Sequence, residues 1–253
     1  MSKATKTNYG LVDYCRAMLG QRYWNGTFGQ IASEWLYKYN ASRLPLHYGV
    51  QRKAQYMKDI EQKKRVFDCS GLIKGYLWSD SADSIPEYKA NGYPDINEKG
   101  MRSACTKSGK IGTLPEVPGT LLFMTGHVGV YIGNGEAIEA RGFKYGVVKT
   151  KVSGRGWTHW GQLKYIGYIV PKTSFYLSRN LRETSPRMNG GDVKAVQNAL
   201  ISAGYSCGKW GADGVYGGDT ANAVRLFQKA KKLSVDGVVG KNTTKALGGE
   251  WRG

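Results

Sequence analysis

Cys69 stands in the run Phe67-Asp68-Cys69-Ser70-Gly71, and His127 stands in Gly126-His127-Val128-Gly129-Val130-Tyr131-Ile132-Gly133-Asn134-Gly135. A cysteine attacks an acyl carbon as its thiolate, and a nearby imidazole can take the thiol proton. After Cys69, the residues Leu72, Ile73, Tyr76 and Leu77 recur at helical spacing, and Asp68 and Ser70 are helix-start residues. Cys69 is therefore expected in the first turn of a helix, where free N–H groups and the helix dipole favour negative charge. The bland alternative is a buried, inert cysteine. It does not account for the Asp-Cys-Ser-Gly flank.

His127 must be presented by a strand. Leu121–Phe123 and His127–Ile132 are β-rich, Gly133-Asn134-Gly135 is a turn signal, and Glu136–Ala140 reads as the returning strand. A three-residue loop at 133–135 pairs Ile132 with Glu136 and sets Gly129 opposite Glu139. His127 and Glu139 then share a face as diagonal neighbours. A two-residue loop at Asn134-Gly135 would put them on opposite faces. The three-residue loop is the expectation, because a glutamate on that face could fix the imidazole's tautomer and orientation. Otherwise Glu139 is a solvent-facing strand residue and His127 a satisfied core histidine.

Past Pro171-Lys172-Thr173-Ser174 the pattern changes. Asp192 would cap a helix that puts Val193, Val196 and Leu200 on one face, with Gly204 as its stop. Asp213-Gly214-Val215-Tyr216-Gly217 reads as a turn. Asp219 would cap a second helix with Ala223, Val224 and Phe227 inward. Val235–Gly240 is another turn before a short helix from Asn242 to Leu247. A chain of 253 residues suits two domains. The expected division is 1–172, a linker at 173–179, and 180–253.

The Phe-Asp-Cys-Ser-Gly and Gly-His-Val-Gly-Val-Tyr-Ile-Gly-Asn-Gly segments resemble the two signature blocks of the NlpC/P60 family of papain-like cell-wall peptidases. That resemblance implies an α+β papain-like fold, with the cysteine-bearing helix packed on an antiparallel sheet. It implies Cys69 as nucleophile, His127 as base and Glu139 at the third polar position, where glutamate is more typical of the related CHAP group. Leu19-Gly20-Gln21-Arg22-Tyr23 is similar to a further family block, which implies Tyr23 beside the nucleophile as an oxyanion or substrate donor. Residues 27–66 read as an insertion on the cleft rim. Its basic run Gln51–Arg65 is expected to be a plain solvated helix. Residues 180–248 resemble the peptidoglycan-binding domain 1 family, a small three-helix module. Asp213 and Asp236 there serve turn geometry, and Tyr216, at a loop tip, is a candidate contact for wall polymer.

The chain holds 37 Lys and Arg against 19 Asp and Glu, a formal net charge of +18. Both halves are basic, which implies attraction to a polyanion. Nucleic acid is one such partner, but no helix-turn-helix, zinc-finger, RRM or KH signature supports it. A Gram-positive wall with anionic polymers is another, and the two resemblances favour it. Cys15, Cys69, Cys105 and Cys207 match no zinc spacing, and the imidazoles are only His47, His127 and His159. No metal or other cofactor is expected. A Cys15–Cys105 pairing stays open. The aromatics around His159, including Trp157 and Trp160, read as packing. The first residues hold no apolar signal-peptide core, and no run of about 18 apolar residues could span a membrane.

These readings make the chain a bacteriolytic peptidoglycan hydrolase resembling a phage endolysin of a Gram-positive host. It would be made in the host cytoplasm and act on the wall once the membrane is opened. The resemblance implies cleavage of the γ-D-glutamyl–diamino acid bond. The alternatives are a CHAP-type N-acetylmuramoyl-L-alanine amidase and a catalytically inactive wall-binding protein.

Overall fold

The computed structural model describes residues 6–169 and 175–253. They form two compact units, one comprising residues up to Leu114 and Pro118–Ile169, the other Pro115–Val117 and the chain beyond Ile169. The expected domain end at Lys172 lies outside the described residues, as do residues 173 and 174 of the expected linker.

In the first unit the helices are α1 (Asn8–Ala17), α2 (Glu34–Arg43), α3 (Lys53–Glu61), α4 (Cys69–Trp78) and α5 (Glu98–Ser103). The strands are β1 (Arg22–Tyr23), β2 (Phe28–Ile31), β3 (Arg65–Phe67), β4 (Cys105–Lys110), β5 (Leu121–Met124), β6 (His127–Gly133), β7 (Glu136–Ala140), β8 (Val147–Lys151) and β9 (His159–Leu163). Six of them make an antiparallel sheet in the order β4-β9-β5-β6-β7-β8, and β1-β3-β2 make a small second sheet. This is the α+β arrangement expected from the sequence.

The helix α4 is apolar on nearly all sides, and a helix of that kind has to be buried. It packs against α1, β6 and β7 and also against β2 and β3. Asp68 caps it, accepting the Gly71 N–H at 2.6 Å on Oδ1 and the Gly26 N–H at 3.0 Å on Oδ2. The glycine at 71 is a packing requirement: a Cβ there would lie 1.8 Å from the carbonyl oxygen of Thr27. The 26–28 segment thus lies flush on the first turn of α4 and fixes where Cys69 sits.

The β6–β7 hairpin differs in detail from expectation. Gly133 pairs with Glu136 across a two-residue turn, with Asn134 at φ 54° and Gly135 at φ 68°. Such positive φ values at both central residues mark the tight hairpin turn that Asn-Gly favours. A bulge between Tyr131 and Gly133 inserts one residue, so Tyr131 pairs with Ala137 and Val130 with Ile138. The bulge restores the register that a three-residue loop would have produced. His127 and Glu139 consequently share a face.

The segment 27–66 is more than a solvated helix. The helix α3 buries Tyr56 and Asp59. With Trp24, Ala32, Leu36, Tyr48 and Val66, Tyr56 forms a separate small core behind β3. Asp59 accepts the Trp24 indole N–H at 3.0 Å and pairs with Arg22 at 3.0 Å. Lys53 and Lys58 lie on the outer side of α3, whereas Arg65, on β3, is buried and donates to the Gly29, Ala82 and Ser84 carbonyls.

The second unit comprises β10 (Tyr176–Leu177), α6 (Gly191–Ser202), α7 (Gly218–Ala230), α8 (Lys241–Ala246) and β11 (Glu250–Trp251). From Phe175 onward the expected linker is folded: Phe175 and Leu177 are buried, and β10 pairs in parallel with β11. Val193, Val196, Leu200, Ala223, Val224 and Phe227 are buried as their spacing predicts. The caps differ, because α6 and α7 begin after Gly190 and Gly217, leaving Asp192 and Asp219 in the first turn. Asp192 pairs with Arg179 there at 2.8 Å.

An internal repeat organises this unit. The Gln197 amide donates to Asp213 Oδ1, the Val215 carbonyl and Thr220 Oγ1, and accepts the Gly214 N–H. Gln228 does the same with Asp236, Val238, Thr243 and Gly237. Each buried glutamine satisfies one Asp-Gly turn, which accounts for both aspartates as turn residues.

Gly71→Ala should destabilise the first unit by at least the ~1–3 kcal/mol typical of overpacking, because the obstructing atom is backbone. Urea unfolding would check this, and a midpoint equal to the parent's would show that the 26–28 segment is not seated as described.

Candidate active site

Cys69 is the first residue of α4 and is half-buried. The backbone N–H groups of Val128 and Ser70 lie near enough to its sulfur to favour the thiolate, and α4 packs against β6 here. His127, the residue before Val128, is the first residue of β6. The two sequence blocks are therefore brought together.

Glu139 is completely buried on β7. Its Oε2 lies 2.7 Å from His127 Nε2 and accepts from Arg155 Nη2 at 2.7 Å. Its Oε1 accepts from Arg155 Nε and from Thr150 Oγ1, both at 2.8 Å. Burial alone would push the carboxyl pKa up. The hydrogen bonds from His127, Arg155 and Thr150 outweigh it and hold the pKa at about 2. A carboxylate can only accept, so His127 Nε2 is the donor. In the neutral imidazole Nδ1 is then the unprotonated nitrogen.

The indole of Trp157 stacks on the His127 ring, with centroids 5.6 Å apart and planes 17° apart. Gly129 makes room for it: a Cβ there would lie 2.8 Å from the indole and 3.2 Å from Glu139 Cβ. The imidazole is held in plane by a carboxylate and on one face by an aromatic ring. Trp157, expected to be simple packing, is thus part of the histidine's immediate setting.

Burial, then the charges of Asp68 and Glu98, raise the Cys69 pKa to about 11, against the N–H bonds from Val128 and Ser70. Desolvation and the capping aspartate thus oppose the stabilisation of negative charge that the helix start provides. A base must remove the proton during attack.

Tyr23 lies on β1, abreast of Phe67 in the neighbouring strand. Burial, then the proximity of Cys69 and Asp68, raise its pKa, so it is a neutral phenol with a proton to donate. Tyr216 does not sit at an exposed tip. It is fully buried in the second unit and donates to the Gly237 carbonyl at 2.8 Å, so its ring packs the core and cannot contact a polymer. Cys15, Cys105 and Cys207 are free thiols, so no Cys15–Cys105 bridge forms.

Arg155 and Thr150 were not anticipated from sequence. Thr150 lies on β8 one diagonal step from Val148, the partner of Glu139. Arg155 comes from the turn after β8, between Gly154 and Gly156, both at positive φ. An arginine flanked by two glycines just past a strand is the one local signal that could have marked it.

Residues 47–163 match the NlpC/P60 family, and residues 189–247 match the putative peptidoglycan binding domain. The first span includes Cys69, His127, Glu139, Thr150, Arg155 and Trp157; Tyr23 lies outside it. Among curated proteins, the chain is 42% identical over 82 residues to the N-acetylmuramoyl-L-alanine amidase CwlL of Bacillus licheniformis, covering 31% of this chain and 23% of that one. It is 47% identical over 60 residues to a probable N-acetylmuramoyl-L-alanine amidase of the same organism, covering 24% and 17%. The chain thus spans less than a quarter of the length of these relatives. Among solved structures, it is similar to the P60 domain of an M. avium subspecies paratuberculosis antigen (18% identity, 64% of this chain and 96% of that one, TM-score 0.38). It is also similar to the peptidoglycan hydrolase RipB of Mycobacterium tuberculosis (20% identity, 64% and 65%, TM-score 0.34).

The buried carboxylate yields a pH prediction. Glu139 has a depressed pKa, so its stabilisation is complete above the ordinary value of 4.5 and is lost as pH falls through about 2. Melting temperature should therefore drop more steeply between pH 4.5 and 2 in the parent than in Glu139→Gln. Parallel profiles would show that the carboxylate is not held as described. By its two matched segments, residues 47–163 and 189–247, the chain contains an NlpC/P60 match followed by a peptidoglycan-binding-domain match.

Proposed function

We propose that the first unit is a cysteine hydrolase of peptidoglycan stem peptides and that the second unit holds it on the wall. The observation that carries this reading is the His127 Nε2–Glu139 hydrogen bond at 2.7 Å. It leaves Nδ1 as the basic nitrogen on the residue adjoining Val128, whose N–H meets the Cys69 sulfur.

In this reading His127 Nδ1 takes the thiol proton as Cys69 Sγ bonds to the amide carbon. The carbonyl oxygen becomes an oxyanion, stabilised by backbone N–H at the start of α4 and by the Tyr23 hydroxyl. The C–N bond breaks as the imidazolium returns its proton to the leaving amine. Water, deprotonated by His127, then hydrolyses the thioester and releases the acid and the thiol. Glu139 compensates the imidazolium charge, while Arg155 and Trp157 keep the carboxylate and the ring in place. The second unit raises the local concentration of substrate by tethering.

The family match favours the γ-D-glutamyl–diamino acid bond. The second reading, an N-acetylmuramoyl-L-alanine amidase, is favoured by glutamate at the third polar position and by the names of the two B. licheniformis relatives. The endolysin role is the finer proposal. The net charge of +18 supports it, since a Gram-positive wall is polyanionic.

Mass spectrometry of fragments released from Gram-positive sacculi tests the reading. The parent should release peptides with new N-termini on the diamino acid, and Cys69→Ala should release none. Free L-alanine N-termini would establish the amidase instead, and release unchanged by Cys69→Ala would refute the nucleophile. Arg155→Met removes both guanidinium bonds from Glu139 and should lower kcat by roughly 10–100-fold, the scale of a small misplacement of a catalytic group, with KM little changed.

A further inference from the structure

A groove of about 580 Å³ lies beside α4, walled by α2 and by the segment 26–30. That volume falls within the ~300–1,000 Å³ range of small-ligand sites. It adjoins the proposed site through two residues. Gly26 donates to Asp68, the cap of the cysteine-bearing helix, and Lys74 projects from α4 itself.

The groove carries an aromatic platform. Trp35 and Tyr39, one turn apart on α2, are coplanar within 10° at 5.1 Å, and the Arg43 guanidinium lies over Tyr39 at 5.0 Å. This ladder leaves Trp35 70% exposed, with one face stacked on Tyr39. Below the platform lies Asn40, only 3% exposed, with its side chain beside the Tyr48 hydroxyl. Tyr48 beside it donates its own proton to the Asn25 carbonyl.

One cation of the groove is matched by a carboxylate. Lys74 pairs with Asp95 at 2.7 Å, Tyr88 donates to the same carboxylate at 3.0 Å, and Arg43 bonds the Tyr39 hydroxyl. The groove therefore offers a flat π-face, neutral hydrogen-bonding groups and the Arg43 guanidinium, which has no carboxylate partner among the described residues. The aliphatic C–H face of a pyranose fits the electron-rich face of an indole, and its amide and hydroxyl groups fit polar walls.

We propose that this groove is a saccharide subsite that holds an N-acetylated glycan strand beside the scissile stem peptide. The proposal rests on the peptidoglycan reading above and deepens it. It gives the 27–66 segment a function: α2 forms the platform, and the aromatic core behind β3 fixes α2 relative to Cys69.

The test is titration of the full chain with a soluble β-1,4-linked N-acetylglucosamine tetramer, followed by calorimetry. The parent should bind, and Trp35→Ala and Tyr39→Ala should each weaken binding at least tenfold. Trp35→Phe should restore most of it. Both side chains are exposed, so unchanged melting temperatures would confirm folding. Binding that is absent, or equal in parent and variants, would overturn the proposal. So would a glycerol-phosphate polymer that binds more tightly than the tetramer and depends on the same residues. The titration reads binding without turnover, so its failure is distinct from failure of the Cys69-dependent release.

Discussion

A single buried carboxylate governs the geometry of the first unit's chemistry. Glu139 is fully enclosed, yet four hydrogen bonds from His127, Arg155 and Thr150 keep it ionised. Burying a charge is costly unless its lone pairs are occupied, and here all the donors come from the same sheet or the turn that follows it. The consequence is chemical as well as structural. Because the carboxylate can only accept, it dictates which imidazole nitrogen carries the proton. The thiol's raised pKa makes that choice matter, since attack then depends on the free nitrogen's basicity at the moment of reaction.

The second constraint is steric. The helix α4 is pressed between the large sheet and the 26–28 segment, with Gly71 against a backbone carbonyl. Asp68 ties the same segment to the helix cap. Cys69 is therefore located by packing on both sides rather than by a flexible loop, as a nucleophile must be if small displacements are to be avoided. The 27–66 segment takes part in this, since its own aromatic core braces β3, the strand that leads directly into α4.

Much of this arrangement is legible in the residues. The apolar spacing after Cys69 marks α4, and Asp68 caps it as its type suggests. Strand parity set Glu139 on the face of His127. The parity argument reached the right face through the wrong loop, because a bulge is a one-residue insertion that leaves no clear mark in composition. Tyr216 shows the opposite failure. A tyrosine in an Asp-Gly turn looks exposed, but the Gln197 and Gln228 contacts fold both turns inward over the core. Arg155 escaped notice and Trp157 read as packing because nothing local indicates that a turn arginine will close on a buried glutamate or that the indole will stack on His127. The α2 platform was hidden for a similar reason: Trp35 and Tyr39 are ordinary helix residues until the fold sets them beside a groove.

The central claim, that Glu139 holds His127 as its Nε2–H tautomer with Nδ1 free for the thiol, is tested most directly by imidazole ¹⁵N chemical shifts. In the resting protein at neutral pH, His127 should show a protonated Nε2 and an unprotonated Nδ1, and Glu139→Gln should lose that sharp preference. A protonated Nδ1 with an unprotonated Nε2, or a tautomer balance that Glu139→Gln leaves unchanged, would contradict the account.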